Sequence, residues 1–552
     1  MTTTHEVLNQ STPFVDVNLF ATDRGLRDAL RFNAPSLDTA ALSRLGAQAG
    51  SAETLTHARN ANVYAPELRT HDRFGHRVDQ VEFHPSYHAL LGGALRHGLH
   101  GTPWSLGAGA HLERAAGFIV WTQAEPSVLC PVSMSYAVTP ALRSNAALYD
   151  AWRSAIASTQ YDPRFAPLAQ KSAVTLGMGM TEKQGGSDVR ANTTRAEPDG
   201  SDAWGERVRI TGHKWFFSAP MCDAFLVLAQ ATSGLSCYFL PRWLPDGTPN
   251  VLRIQRLKDK LGNKANASSE VEFDGTTAWL VGEEGRGVPQ ILAMGAITRL
   301  DCALGTAGLM RQALVLAMHH CAQRRAFGKA LIEQPLMKNV LADLALESEA
   351  ATALALRLAR AVDRSENAQD ASGHEALMRR VLTPIAKFWI CKRGSVFAQE
   401  AMECLGGNGY VEEHGEGAMA RVYREMPLNS IWEGAGNIMA LDLLRALRTG
   451  PVADALMHEL APVQGAHAGF DRLAGTLPAR VDGVTDEADA RRLARDVALL
   501  VQAALLSQHA SAEVFDTFCA SRVGEQPGGG GAFGLLAAGA PLDALIARAR
   551  PH

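Results

Sequence analysis

The spacing of apolar residues changes twice along the chain. Up to about residue 175 they recur at helical intervals interrupted by many turns, as in residues 37–50 and 87–96. Residues 101–117 are rich in Gly and predict loops between helices. From Arg207 to Gly282 the period drops to two, with many β-branched and aromatic residues. Residues 207–212, 214–218, 224–229, 235–240, 251–257 and 269–273 are candidate strands. Short strands without long helices between them predict an antiparallel sheet or small barrel. Parallel βαβ units, and hence a Rossmann domain, would need crossover helices of ten or more residues. The helical period then returns in longer runs, over 309–325, 336–364, 374–405 (kinked at Pro384) and 438–447. The tail carries one more long pattern, 485–511, and a break at Gly528-Gly529-Gly530-Gly531.

The expected fold class is therefore α+β, in four consecutive parts. They are an N-terminal helical domain (1–175), a middle antiparallel β domain (176–286), a helical bundle (287–448) and an extra C-terminal helical domain (449–552). The length of 552 residues fits three or four domains.

Composition narrows the function classes. The apolar fraction is 47%, the charged fraction 20% and the net charge −4, as in a globular protein with no global attraction to nucleic acid or anionic membranes. No uninterrupted apolar run reaches the roughly 20 residues of a membrane span. The N-terminus lacks the basic-then-apolar pattern of a signal peptide, so a cytoplasmic location and no membrane contact are expected. The eight cysteines form no C-x-x-C pair and read as small core residues. Glu412, Glu413, His414 and Glu416 lack a metal-ligand spacing and read as a solvated run, so no metal is expected. The glycines of 282–287 lack the strand-then-helix setting of a phosphate loop.

One segment suggests chemistry on its own. Ile431-Trp432-Glu433-Gly434-Ala435-Gly436-Asn437 sets a carboxylate between an aromatic side chain and a Gly-x-Gly backbone. An apolar neighbour moves a carboxylate toward the range of a general base, and the glycines permit close approach of a ligand. The same segment reads equally well as an ordinary turn before a helix.

Other motifs decide between those readings. In chain order they are Gly179-Met180-Thr181-Glu182-Lys183-Gln184-Gly185-Gly186-Ser187-Asp188-Val189, then Gln323-Arg324-Arg325-Ala326-Phe327-Gly328, then Leu405-Gly406-Gly407-Asn408-Gly409-Tyr410, then the Trp432-Glu433-Gly434 segment. Together they resemble the acyl-CoA dehydrogenase family of flavoproteins. The wording of 180–189, Leu257-Lys258-Asp259-Lys260-Leu261-Gly262-Asn263, Tyr423-Arg424-Glu425-Met426-Pro427, the opening Val7-Leu8-Asn9-Gln10-Ser11-Thr12-Pro13 and the extra tail are similar to its AidB-like branch, linked to DNA alkylation damage.

The resemblance implies FAD, bound between the β domain and the bundle, and a homotetramer. It implies Met180, Thr181, Gly186 and Ser187 against the flavin, with Phe216, Phe217 and Ser218 covering it from the other side. Phe216 stands where the family has Trp. By themselves Phe216 and Phe217 read as strand core. Arg324, Phe327, Gln334, Gly406 and Gly407 match residues that reach FAD across a subunit interface, and Arg suits a diphosphate. Glu403 replaces a frequent Gln and is expected to turn away or pair with an Arg. Trp432 and Asn437 match positions near FAD. Glu433 falls on the catalytic base, which removes a proton next to the thioester of an acyl-CoA while a hydride leaves the next carbon. Trp432 is bulkier than the usual Tyr, so a short or branched acyl group is expected.

The branch also implies duplex DNA as an alternative partner. Residues 449–552 hold eight Arg, no Lys and twelve Asp and Glu, a formal charge of −4, so the tail is not basic overall. Arg491, Arg492 and Arg495 lie on adjacent turns and, with Arg445 and Arg448, form the candidate DNA stripe. A solvated helix face explains the same residues equally well.

Overall fold

A computed structural model of the chain describes residues 4–367, 370–415, 417–483, 486–524 and 532–551. Glu416, Thr485 and the Gly528 to Gly531 break lie outside the described residues. The chain packs as two compact units, one of residues 56–110 and 125–301, the other of residues 1–55, 111–124 and 302–552.

The first unit is built around a seven-stranded sheet. A two-stranded hairpin, β1 (Glu67–His71) and β2 (Arg77–Glu82), precedes it within the region read as helical. Its strands are β3 (Leu176–Gly179), β4 (Arg195–Asp202), β5 (Gly205–Ser218), β6 (Ala224–Ala231), β7 (Gly234–Pro241), β8 (Arg253–Leu257) and β9 (Ser268–Leu280). Pairing runs β6-β4-β5-β9-β7 and returns from β7 to β6, which closes a small barrel. The ladders are antiparallel except where β6 meets β3 and β4. β3 and β4 escape the sequence reading because Leu-Gly-Met-Gly and a Pro-Asp-Gly stretch carry no strand alternation. The predicted strands 207–212 and 214–218 are one, with pairing irregularities between Ile210 and Thr211 and between Lys214 and Phe217. Val208 and Ile210 point inward at alternate positions, and Phe217 packs against Phe225 with ring centroids 4.2 Å apart.

The second unit is helical. Pro335–Glu366 packs along His374–Glu403, and both pack on Ala490–His509. His374–Glu403 runs unbroken through Pro384. Residues 101–117 are loop only in part: residues 106–109 separate a short Thr102–Ser105 turn from the helix Ala110–Ala124, most of whose residues are buried, so that it shows no amphipathic period. The division between the units falls inside the helix Gly287–Gln323. By length and composition that helix could cross a membrane, but 94% of its most apolar window is buried within the protein.

Ion pairs tie the tail to the bundle. Fully buried Arg357 bonds Glu375 at 2.7 Å and Glu459 at 2.6 Å. Arg522 pairs with Asp343 and Glu347, and Arg548 reaches Glu349 at 2.7 Å and Asp28 at 2.9 Å. Three of the charges in these contacts, Glu459, Arg522 and Arg548, come from the tail. A buried charge is tolerated only when paired in this way.

His509 ends the helix Ala490–His509, its ring 5.5 Å from that of Phe32. Both its ring nitrogens are buried without a protein hydrogen-bond partner. Burial, reinforced by Arg548 and opposed by Asp28, pushes its pKa down to about 4, against about 6.5 for a free His. Between these values the unfolded chain binds a proton that the folded chain refuses, so stability is lost as pH falls through that window. Thermal unfolding followed from pH 7 to pH 4 is expected to show a falling midpoint, with a shallower fall in His509→Leu. An unchanged slope in that variant would rule out His509 as the source.

Candidate active site

The loop after β3 is held from below by one ion pair. Lys214 on β5 shares the inward parity of Val208 and Ile210, so its ammonium points into the barrel. There it donates to Glu182 Oε1 at 2.8 Å and to the Leu228 carbonyl at 2.8 Å. Both side chains are 0% exposed. Glu182 also accepts from Thr193 N at 2.7 Å, Thr193 Oγ1 at 3.0 Å and Gln184 Nε2 at 2.9 Å. Burial pushes the Glu182 carboxyl up, but Lys214 and these donors overcome it and hold the group well below the usual carboxylate range.

That anchor sets the neighbouring residues. Thr181 accepts from Trp215 N at 2.8 Å through its carbonyl, and Met180 accepts from Asn192 Nδ2 at 2.8 Å. Met180 and Thr181 are half-buried, while Gly186 and Ser187 are exposed. A Cβ on Gly186 would fall 2.5 Å from Thr181 Oγ1, so only glycine lets the turn fold back over Thr181. At the end of β5 the aromatic pair divides. Phe216 is 52% exposed, whereas Phe217 is buried in the barrel core beside Phe225 and Phe273. The side chain of Phe217 is thereby spent on strand packing. Ser218 Oγ lies 3.4 Å from Ser268 Oγ. Lys258 Nζ sits 3.4 Å over the Trp215 ring and 4.7 Å over that of Phe216.

In the helical unit, Arg324, Gly406 and Gly407 line one cavity of about 300 Å³ with His320, Glu403 and Asn408. Gly406 has φ +60°, and a Cβ on it or on Gly407 would meet nothing within 4 Å. These glycines leave space over the turn rather than serving packing. Among the described residues no Arg is recorded paired with Glu403. It ends the helix His374–Glu403 on the cavity wall, and its carboxylate accepts from Gln399 at 3.4 Å. Arg324 donates to the Asn9 carbonyl at 2.5 Å. The Asn9 side chain accepts from Arg325 N at 2.8 Å and donates to Arg325 O at 2.9 Å. A hairpin follows, Arg325–Ala326 against Lys329–Ala330, with Phe327 at its tip 97% exposed. Gln334 donates to Ala326 O at 3.0 Å and braces the tip.

The carboxylate segment is held separately. Glu433 has φ +59°, a left-handed conformation costing a non-glycine residue roughly 1–3 kcal/mol. Lys387, 1% exposed on the helix His374–Glu403, donates to Trp432 O at 2.7 Å and Gly434 O at 2.5 Å. The Trp432 indole donates to Asn429 Oδ1 at 3.0 Å, and Asn429 donates to Thr306 Oγ1 at 3.1 Å. Asn437, exposed at the start of the helix Gly436–Leu447, accepts from Arg491 at 3.2 Å.

The other candidates separate clearly. Arg445, Arg448, Arg491, Arg492 and Arg495 are all exposed. Arg492 lies 3.6 Å from Asp489 and Arg495 2.7 Å from Asp496, so part of their charge is locally offset. Glu412 pairs with Arg424 at 2.6 Å, and no metal-binding cluster is found among the described residues. All eight cysteines are free and buried. Sequence reading passed over Lys214 and Lys387. The signals were there, a Lys at an inward strand position and a Lys within the apolar run Pro384-Ile385-Ala386-Lys387-Phe388-Trp389.

Comparison with known proteins places the chain in a family. Residues 177–276 match the acyl-CoA dehydrogenase middle domain and residues 285–448 the acyl-CoA dehydrogenase C-terminal domain. The chain belongs to the acyl-CoA dehydrogenase family, which consists of flavin-dependent oxidoreductases. Within it the chain is AidB-like: residues 9–163 match the N-terminal domain of adaptive response protein AidB. It is 46% identical to AidB of Escherichia coli over 522 residues, 94% of each chain. It is 31% identical to acyl-CoA dehydrogenase family member 11 of Caenorhabditis elegans, over 77% of this chain and 69% of that one. Among solved structures, apo Bd2924 superposes with a TM-score of 0.83 at 30% identity, covering 92% of this chain and all of that one. Caenorhabditis elegans ACDH-11 in complex with C11-CoA gives 0.82 at 25% identity, covering 95% and 94%.

Removing one member of a buried ion pair strands the other and costs roughly 3–5 kcal/mol. Lys214→Met is therefore expected to lower the thermal midpoint and to speed proteolysis within residues 180–192. Glu182→Gln combined with Lys214→Met should cost less than the two single changes summed. A Lys214→Met protein as stable as the parent would show that the pair does not anchor the loop.

Proposed function

We propose that the protein is an FAD-dependent dehydrogenase that introduces an α,β double bond into a short or branched acyl-CoA, with Glu433 as the general base. The observation that carries this reading is the build of the Glu433 segment. A carboxylate in a strained left-handed conformation is fixed from both sides by Lys387 and flanked by a Trp ring that Asn429 pins. Strain of this kind persists only where surrounding structure over-determines it, and it gathers at functional sites.

The residues fit the cofactor. Arg324 and the open glycine turn at Gly406 and Gly407 offer a cation and free backbone to a diphosphate. Thr181, Ser187 and Ser218 offer uncharged hydroxyl groups to the polar edge of a flavin, and exposed Phe216 offers a flat apolar face. Phe217 contributes through its backbone position alone, since its ring is buried. FAD held by these groups supplies the acceptor for the hydride. Glu433 takes the proton from the carbon next to the thioester, and Trp432 limits the width of the acyl channel beside it. Exposed Phe327 and Leu336 suit burial against further copies in a homotetramer.

Anaerobic titration of the yellow protein with straight and branched acyl-CoAs tests this reading. Expected are bleaching of the flavin by short or branched thioesters, loss of bleaching by at least about a thousandfold in Glu433→Gln with FAD retained, and light scattering at the mass of four chains. Bleaching in Glu433→Gln at the parental rate would remove the carboxylate from the mechanism. Preference for the longest straight chain would remove the restriction assigned to Trp432.

A second reading, duplex DNA binding, is favoured by one observation. Arg445 and Arg448 follow or end a helix that packs on the helix carrying Arg491, Arg492 and Arg495, and all five are exposed. If these arginines contact phosphates, affinity falls steeply with salt, and changing Arg491, Arg492 and Arg495 to Ala lowers the log–log salt slope by roughly one per residue. Duplex DNA that fails to bind at 50 mM salt would end this reading.

A further inference from the structure

We infer that Lys387 is the positioning residue for Glu433: its ammonium, held between the carbonyl oxygens on either side of that residue, fixes the backbone conformation that aims the carboxylate. The inference rests on the reading of Glu433 as the base.

Asn429, Arg491 and Lys387 each supply a side-chain contact within residues 429–437. Asn429 holds the Trp432 indole and is itself held by Thr306. Arg491 donates to the Asn437 side chain. Neither touches the backbone next to Glu433. Lys387 does so on both sides, at 2.7 Å to Trp432 O and 2.5 Å to Gly434 O. Those two carbonyls belong to the peptide units before and after the Glu433–Gly434 link. Fixing both fixes the turn that gives Glu433 its φ of +59°.

The donor is rigid because its own surroundings are closed. Lys387 is 1% exposed, on a 30-residue helix that continues through Pro384. The next residues of that helix complete the seat. A Cβ on Gly436 would come within 2.9 Å of Lys392 Cε and 3.4 Å of the Phe388 ring, so the backbone just after Glu433 lies directly on the helix face. An ammonium carries three donors and no acceptor, which suits a group asked to gather carbonyl oxygens. Lys214, which anchors its loop, meets a carboxylate, Glu182. Lys387 meets the two carbonyls that bracket one carboxylate instead.

The test compares the parent protein, Lys387→Met, Lys387→Gln and Glu433→Gln as full-length FAD-loaded chains. Two quantities are read: the first-order rate of flavin bleaching by a saturating acyl-CoA, and amide hydrogen exchange at residues 432–434 without acyl-CoA. Lys387→Met is expected to slow bleaching by roughly 10–100-fold, since a displacement of about 1 Å costs a reacting group that much. Its FAD content and acyl-CoA dissociation constant should stay within about twofold of the parent, because Lys387 orients the base and does not itself bind. Exchange at residues 432–434 should rise. Lys387→Gln, whose amide still donates to carbonyls without charge, should restore most of the protection and of the rate. Exchange in Lys387→Met equal to the parent overturns the inference, and so does bleaching at the parental rate. If Lys387→Met does not fold, Lys387→Arg decides: the wider guanidinium displaces both carbonyls while keeping the charge, and a parental rate there overturns the inference. Parental bleaching in Glu433→Gln would instead refute the base assignment, leaving the exchange result to judge the clamp.

Discussion

A lysine and a glutamate with no solvent exposure, Lys214 and Glu182, fix the geometry on which the flavin-facing reading depends. Glu182 is the third residue of the loop that carries Thr181 and Ser187. Without a cation beneath it, that carboxylate would have to leave the barrel or bind a proton. With it, Thr193, Thr194 and Gln184 all turn donors toward one carboxylate, and the loop gains a floor. A loop with a floor can present hydroxyl groups at set positions, which a freely moving turn cannot. The barrel is thus a support for the loop as much as a core, and its inward Lys214 serves what lies outside it.

The helical unit uses buried cations in the same manner. Arg357 fixes the junction of Glu375 and Glu459, Arg522 joins Asp343 and Glu347, and Lys387 holds the turn around Glu433. Such pairs add little net stability compared with well-packed apolar groups, but each tolerates very few alternative arrangements. Where the position of a carboxylate matters more than a further increment of stability, this trade favours the charge.

Much of the fold was readable from periodicity. The long helices and five of the seven strands of the sheet lie where apolar spacing puts them, because those segments bury one face or one stripe. Segments that bury every face were misread: the helix Ala110–Ala124 has no polar side, so its flanking glycines suggested loops. β3 and β4 were missed because Gly and Pro-Asp-Gly carry no alternation. For the site, motif order was enough to identify Arg324, the Gly406 turn and Glu433 as candidates. What supports them was not legible. Lys214 and Lys387 each lie more than 30 residues from the group they hold, so their pairing exists only in the folded chain.

The inward arginines of the tail have a consequence for where this protein ends as a folding unit. The family match stops at residue 448, yet Glu459, Arg522 and Arg548 lie beyond it and complete ion pairs begun by Arg357, Asp343, Glu347, Glu349 and Asp28. Residues 9–448 taken alone would lose the tail cations that meet Asp343 and Glu349 and one counter-charge each at Arg357, Glu347 and Asp28. The limit set by electroneutrality of the interior therefore lies about a hundred residues past the end of the matched acyl-CoA dehydrogenase C-terminal domain.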